Sequence, residues 1–489
     1  MRKTIVISFS YVHTNVVLPV LACIAMSAPL VPASAQEPAE HIAAESGTAG
    51  FFNSSRALNL EQVLELAFSK NPDMQAAEER IGQAEARVIE ATANFYPKLM
   101  GQVGYTYTDN PALAFSAIVA QRRFDSQSLG TINNPGYIGN FRPELVGTMS
   151  LFEGGRDYYR KKAAELGVEV SELERAALHN QLAAAVTAAY YAVLTAPREV
   201  EAARRSLAAV DSELNHAREM HQAGSLLRSD VLSLEVRHAQ ARERELQTLN
   251  AQESAHTGLK TLLGLGTGDT LVVKESLKDD KAPQNTLTEN LLNTALAQRP
   301  EMQIAARQVE MREKELRAEI AGHMPRVDAY AAYGLNESSP QFNFSKQNLT
   351  VGVNAQIEIF GGGATSARVS AAERRVAEAQ AARERVRLDI DAEVQRAKNN
   401  LSEVEARRQV TEAAQTSAEE ALRLVHEQYR AGAAGVTRYL EAEADRTASE
   451  MRAVTARFEV QIARANLQKA IGYWFQSDFE AERRTSGGK

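Results

Sequence analysis

Very few residues of this 489-residue chain stand in patterns that could do chemistry on a bound molecule. Gly264-Leu265-Gly266-Thr267-Gly268 has the glycine density of a phosphate-cradling loop, but it follows a helical stretch rather than a strand, so a turn is the better reading. His426-Glu427 lacks the second histidine of a zinc-hydrolase helix, and the other histidines are scattered. No Ser/His/Asp grouping and no P-loop is present. Ser229 and Asp230, like Thr437, follow glycine-containing turns, where such side chains cap helices. These residues point to no enzyme, no cofactor and no metal site. What the sequence specifies is architecture.

Residues 1–35 read as a secretory signal: Arg2 and Lys3, an apolar run through Val16 to Met26, and Ala33-Ser34-Ala35 as a small-residue cleavage site. Val20-Leu21-Ala22-Cys23 is a faint lipidation box, weakened by the bulky Leu21 and by the apolar residues beyond the cysteine. Cys23 is the single cysteine, so disulfides and thiolate metal sites are excluded from the mature chain. Losing two basic residues takes the formal net charge from −7 to −9 (−7 − 2), a poor balance for nucleic acid. After Gln36 no apolar run reaches the ~18 residues of a spanning helix, yet strands can still enter a membrane.

Leu349 to Phe360 is such a strand. Leu349, Val351, Val353, Ala355, Ile357 and Ile359 alternate with Thr350, Gly352, Asn354, Gln356 and Glu358, and a tilted membrane strand needs roughly 9–11 residues. Gly361, Gly362 and Gly363 then permit a sharp elbow, and from Ala364 to Ala431 no glycine or proline interrupts a helix of ~100 Å. The chain does this twice. Pro72, Met74, Pro97 and Tyr105 recur 228 residues later as Pro300, Met302, Pro325 and Tyr333 (300 − 72). Phe152-Glu153-Gly154-Gly155 recurs 208 residues later as Phe360 to Gly363 (360 − 152), and so do Gly224 as Gly432 and Gly264 as Gly472. Two fixed offsets mean a tandem duplication. Their difference (228 − 208) places twenty extra residues around Asn110 to Asn140, a stretch read as a long exposed loop.

The organisation expected is a signal over 1–35, a leader over 36–57, repeat 1 over 58–264, a connector over 265–286, repeat 2 over 287–474 and a tail over 475–489. Repeat 1 has a helix, strands near 99–109 and 143–152, a long helix over 156–222 and a returning helix over 229–263. Repeat 2 has a helix, strands near 327–335 and 349–360, a long helix over 364–431 and a returning helix over 437–471. Pro97 and Pro325 turn each leading helix into a strand, and Gly167 and Pro197 break the regularity of the first long helix. Gly224 and Gly432 cap the long helices, and Ser229 and Thr437 are N-cap types for the returning ones. Val386, Ile390, Val394, Ala397, Leu401 and Val404 give the second long helix a narrow apolar stripe for side-by-side packing. Tyr105, Tyr107, Tyr330, Tyr333, Phe342 and Phe344 suit interfacial girdles.

Four strands cannot close a membrane barrel, since the smallest have about eight, and open edges in lipid cost several kcal/mol per unpaired group. Three copies would supply twelve. The fold class expected is therefore mixed α and β, mostly long helices: a trimeric twelve-stranded transmembrane β-barrel continuous with an α-helical barrel.

The secretory start, the duplicated helix–strand–strand–helix unit, LFEGG and IFGGG at the elbows and the AG-containing helical turns together resemble the TolC family of outer-membrane channel proteins, from about Leu58 to Trp474. The resemblance implies a homotrimeric exit duct in outer-membrane lipid, docked on a periplasmic adaptor and an inner-membrane RND or ABC transporter. It places a gate at Ser229 and Asp230 in the first copy and at Tyr429, Arg438 and Glu441 in the second, with Tyr429 donating to Asp230. Ala434 and Arg438 depart from the family pattern, and Arg438 could instead pair with Asp230 or Glu441. Hinges fall at Gly154, Gly155, Gly224, Gly362, Gly363, Gly432 and Gly435. Adaptor contact falls on Ala223, Ser225 and Leu226 and on Ala431, Ala433 and Ala434. The alternative is a periplasmic coiled-coil adaptor or scaffold without a pore.

Overall fold

The computed structural model describes residues 57–274 and 291–474. The signal, the leader up to residue 56, residues 275–290 and the tail lie outside the described residues. The chain divides into two units, one of strands (92–157 and 321–361) and one of helices (the described parts of 51–91, 158–320 and 362–489).

In the strand unit, β1 (Lys98–Thr108), β2 (Ile138–Phe152), β3 (Arg326–Leu335) and β4 (Gln347–Gln356) form one antiparallel sheet in chain order. The register Leu99↔Gly147, Leu145↔Tyr333 and Tyr333↔Leu349 aligns the odd-numbered residues of all four strands. One face is thus apolar, with Leu99, Val103, Leu145, Leu151, Val351 and Val353, and the other polar, with Gln102, Thr148, Asp328, Asn348, Thr350 and Asn354. Tyr105, Tyr107 and Tyr333 stand on the apolar face toward one end of the strands, whereas Tyr330 falls on the polar one. β1 and β4 have no further partner among the described residues, so both edges are open.

Three expectations for this unit are corrected. β2 begins at Ile138 rather than near 143, because its first residues pair with β1 while the β3 ladder ends at Glu144; on that second side only Phe141 bridges Glu337, which lets Pro143 sit without a ladder partner there. β4 stops at Gln356, and Ile359 and Phe360 lie beyond it, about nine-tenths exposed. The twenty-residue insertion is not all loop, since it contains the helix α3 (Pro111–Ala120). Asn110 caps α3 by accepting from Ala112 N (3.1 Å) and Leu113 N (3.3 Å), and Pro111 occupies its first turn. Arg122, at φ 53°, then donates to Ser345 O (2.7 Å) and Gln347 O (3.0 Å), tying this segment to the β3–β4 turn. At the first elbow, Gly154 (φ 64°) is required twice over, because a Cβ there would meet the Met324 Cβ at 2.4 Å.

The helical unit holds α1 (Leu60–Lys70), α2 (Pro72–Ala93), α4 (Arg156–Gln222), α5 (Arg228–Leu262), α6 (Leu291–Gln298), α7 (Pro300–Ile320), α8 (Ala364–Arg430) and α9 (Val436–Ile471). Each repeat opens with two helices rather than one, because Pro72 and Pro300 start α2 and α7. α4 and α8 are both 67 residues long, and α4 covers the expected 156–222 with Gly167 and Pro197 inside it. A core of Val63, Ala67, Leu182, Val186, Tyr190 and Leu259 joins α1, α4 and α5. The expected stripe of α8 is the buried one: Ile390 and Val394 pack on α6 and α9, and Leu401 and Val404 on α9.

Arg299, 5% exposed between α6 and α7, pairs with Glu301 (2.8 Å) and with Glu393 of α8, which also takes Lys469 of α9 (3.2 Å). Burial works to raise the Glu393 carboxyl pKa, but Arg299 and then Lys469 outweigh it and hold it below the ordinary range. A lowered carboxyl pKa stabilises the fold above its unfolded value and loses that contribution as pH falls through the folded one. Glu393→Gln should therefore cost about 2 kcal/mol at neutral pH. In thermal melts followed by circular dichroism, the gap from wild type should close below about pH 4.

Candidate functional site

The two hairpin tips are built alike. Gly224 (φ 78°) and Gly432 (φ 72°) take the left-handed conformation after α4 and α8. Ser225 N then donates to Met220 O (2.9 Å) and Ala433 N to Gln428 O (2.8 Å), each satisfying a carbonyl of the last helical turn. Ala223, Ser225, Ala431 and Ala433 are exposed, while Leu226 and Ala434 are half-buried. Gly435 differs from the other hinge glycines: its φ of −80° is open to any residue.

Ser229 and Thr437 do not cap their helices. The N-cap positions are Leu227 and Gly435, neither with a side-chain bond, so Ser229 and Thr437 fall two residues past the cap, inside α5 and α9. Asp230 lies in the first turn of α5, where a negative charge faces the positive end of the helix dipole.

The expected Tyr429–Asp230 bond is not the one formed. The Tyr429 hydroxyl donates to Glu213 Oε1 at 2.6 Å, linking the last turn of α8 to α4. Asp230 remains near enough to act on the phenol through its charge. Partial burial first, and the Glu213 bond next, hold the Tyr429 phenol well above its usual range. The Tyr439 ring stacks on Tyr429 at 5.4 Å, and its own phenol is pushed up to about 12 by burial and then by Glu443. Arg438 and Glu441 are exposed and pair with no described residue, so neither expected pairing of Arg438 is made.

The chain matches the family model "Outer membrane efflux protein" over residues 63–265 and 291–473. The chain belongs to that family. It is an outer-membrane protein of the channel type found in efflux and secretion. The pyoverdine export outer membrane protein OpmQ of Pseudomonas aeruginosa is 24% identical over 426 residues, 86% of each chain. The outer membrane channel CmeC of Campylobacter jejuni has the same fold, with a TM-score of 0.72 at 15% identity over 86% of this chain and 89% of that one. A membrane protein of Pseudomonas aeruginosa matches with a TM-score of 0.73 at 21% identity, over 84% of this chain and 93% of that one.

Above the tip of this outer membrane efflux protein lies a polar network that sequence reasoning missed. Arg446 of α9 reaches Glu443 (2.6 Å) and Glu450 (2.7 Å), both carboxylates nearly buried. Glu450 also takes Arg205 of α4, and Thr455 donates to Glu199 of α4 at 2.9 Å. The spacing Glu443, Arg446, Glu450 is visible as one helix face, but nothing in it says that the face turns toward α4. Glu213 sits among many exposed acids and carries no distinguishing signal.

A double-mutant cycle of Tyr429→Phe with Glu213→Gln should give a coupling of about 1 kcal/mol in unfolding, below what a fully buried bond to a charged group gives because the pair is partly solvated. The same cycle with Asp230→Asn in place of Glu213→Gln should give a coupling near zero.

Proposed function

We propose that three copies of this chain form an exit duct, with β4 of one copy pairing with β1 of the next to close twelve strands. The observation that carries this is the sheet itself, apolar on one face, polar on the other and open at both edges. The apolar face then meets lipid and the polar face lines a lumen. The helical unit extends the wall through the periplasm. Its tips, Ala223 to Leu226 and Ala431 to Ala434, dock on a periplasmic adaptor served by an inner-membrane RND or ABC transporter. Export in the manner that the name of OpmQ describes is the direction of flow this reading favours.

The helices supply a matching seam for the neighbouring copy. α5 leaves Leu232, Val236, Ala239 and Leu246 exposed on one face, and α8 leaves Ala406, Val410, Ala413, Ser417, Ala421 and Leu424. The first seam runs over fourteen residue-to-residue steps (246 − 232) and the second over eighteen (424 − 406), about 21 and 27 Å of helix. The shorter seam carries mostly large side chains and the longer one mostly small ones, as interlocking helices require. Val236→Asp or Val410→Asp should shift the assembly toward monomer in detergent, as read by native mass spectrometry.

At the tips, the Tyr429–Glu213 bond and the Glu450 network hold the first hairpin against the second and keep the duct narrow. A contact of about 1 kcal/mol biases a two-state equilibrium about fivefold, so Tyr429→Phe and Glu213→Gln should each raise open probability in planar bilayers by up to that factor. Wild-type protein recovered as a soluble monomer without conductance would replace this reading with the pore-less scaffold.

A further inference from the structure

The helical unit holds a groove of about 640 Å³ that the hairpin gate does not use. Its floor is one stripe of α4, from Arg160 through Ala163, Ala164 and Gly167 to Ser171. Its walls are Arg80, Gln83 and Arg87 of α2 on one side, and Met311, Glu315 and Glu319 of α7 on the other. The Glu78–Arg175 ion pair (3.0 Å) sets α2 antiparallel to α4 with Arg87 level with Gly167, and the Glu169–Arg307 pair (2.9 Å) sets α7 with Glu315 level with Arg160. The half of the groove nearer the start of α4 therefore gathers Arg87 and Arg160 over a floor of alanine and glycine.

Charge in this half is unbalanced. Glu315 is already paired with Arg312 (2.7 Å), and Glu319 faces Arg368 (3.7 Å). Arg87 and Arg160 pair with no described residue, leaving two guanidiniums uncompensated at the mouth. Gly167 adds an independent sign. A Cβ there would meet nothing within 4 Å, so packing does not call for glycine, although glycine inside a helix costs roughly 1 kcal/mol against alanine. What it does is keep the floor open beneath the arginines.

We propose that this groove binds a phosphate-bearing amphiphile, the phosphodiester held by the forks of Arg87 and Arg160 and the adjoining apolar part laid on Ala163, Ala164, Gly167 and Met311. Guanidinium forks match phosphate oxygens two at a time, and a small-residue floor suits a slender chain. Arg160 is eight residues beyond Phe152, the end of β2, so a membrane phospholipid headgroup is the nearest source of such a group along the chain (160 − 152).

Native mass spectrometry of the purified mature protein with added phosphatidylglycerol or the phosphate-free diacylglycerol tests this. Wild type should retain phosphatidylglycerol in preference, and Arg87→Gln/Arg160→Gln should lose about tenfold of that retention. Gly167→Leu should abolish it by filling the floor, with a melting temperature no lower than wild type, which separates occlusion from misfolding. Displacement by inorganic phosphate would mark the phosphate alone as the recognised group, and resistance to it would mark the intact lipid. Equal retention of the two lipids by wild type, or undiminished phosphatidylglycerol retention by the variants, would overturn the proposal. None of these results depends on conductance.

Discussion

The unpaired backbone of β1 and β4 is the constraint from which the rest follows. In water, an open strand edge is a manageable liability. In hydrocarbon, each unsatisfied amide or carbonyl costs several kcal/mol, and nothing but another strand can relieve it. A sheet of four strands with one apolar face has both problems at once, and its chain-order topology leaves one edge at each end of the protomer. The same edge-to-edge logic repeats in the helices, where α5 and α8 keep small and apolar side chains in the open. A fold of this kind is complete only as a ring.

The helical unit carries little core for its length. Its buried apolar residues run in narrow stripes and small clusters rather than one continuous interior. Polar contacts consequently matter more than they would in a globular domain. The Arg299 clamp joins α6, α7, α8 and α9 at one level, and the Glu450 network joins α4 to α9 at another. Each buried carboxylate there has at least one arginine, so the charges are compensated and the helices are held in a defined register. Sharing Glu450 between Arg205 and Arg446 means the two hairpins can part without stranding it unpaired.

Duplication, glycine elbows and strand alternation were legible because each is local or periodic. The offsets located the repeats, and Gly224, Gly432, Gly154 and Gly363 occupy the left-handed positions that their spacing suggested. Side-chain pairing across elements was not legible. Tyr429 meets Glu213 rather than Asp230 because the partner depends on how two long helices are staggered, and a shift of a few residues changes it. The helix α3 was readable in principle from Asn110-Pro111 followed by an apolar run, but the surrounding Asn, Gly and Ser pulled the whole insertion toward loop. Ser229 and Thr437 had the chemistry of caps and missed the position by two residues.

The two long helices share a length of 67 residues despite sequences that have diverged almost everywhere else. Adding one residue to either would advance its tip by ~1.5 Å and rotate every side chain beyond that point by ~100°, carrying buried stripes out to solvent. Drift in length is thus confined to the loops between strands, and there the copies do differ, by the twenty residues that hold α3. Relatives of this chain should vary freely in those strand loops while their staves stay locked in step, and chimaeras joined anywhere but at matching helix positions should fail to assemble.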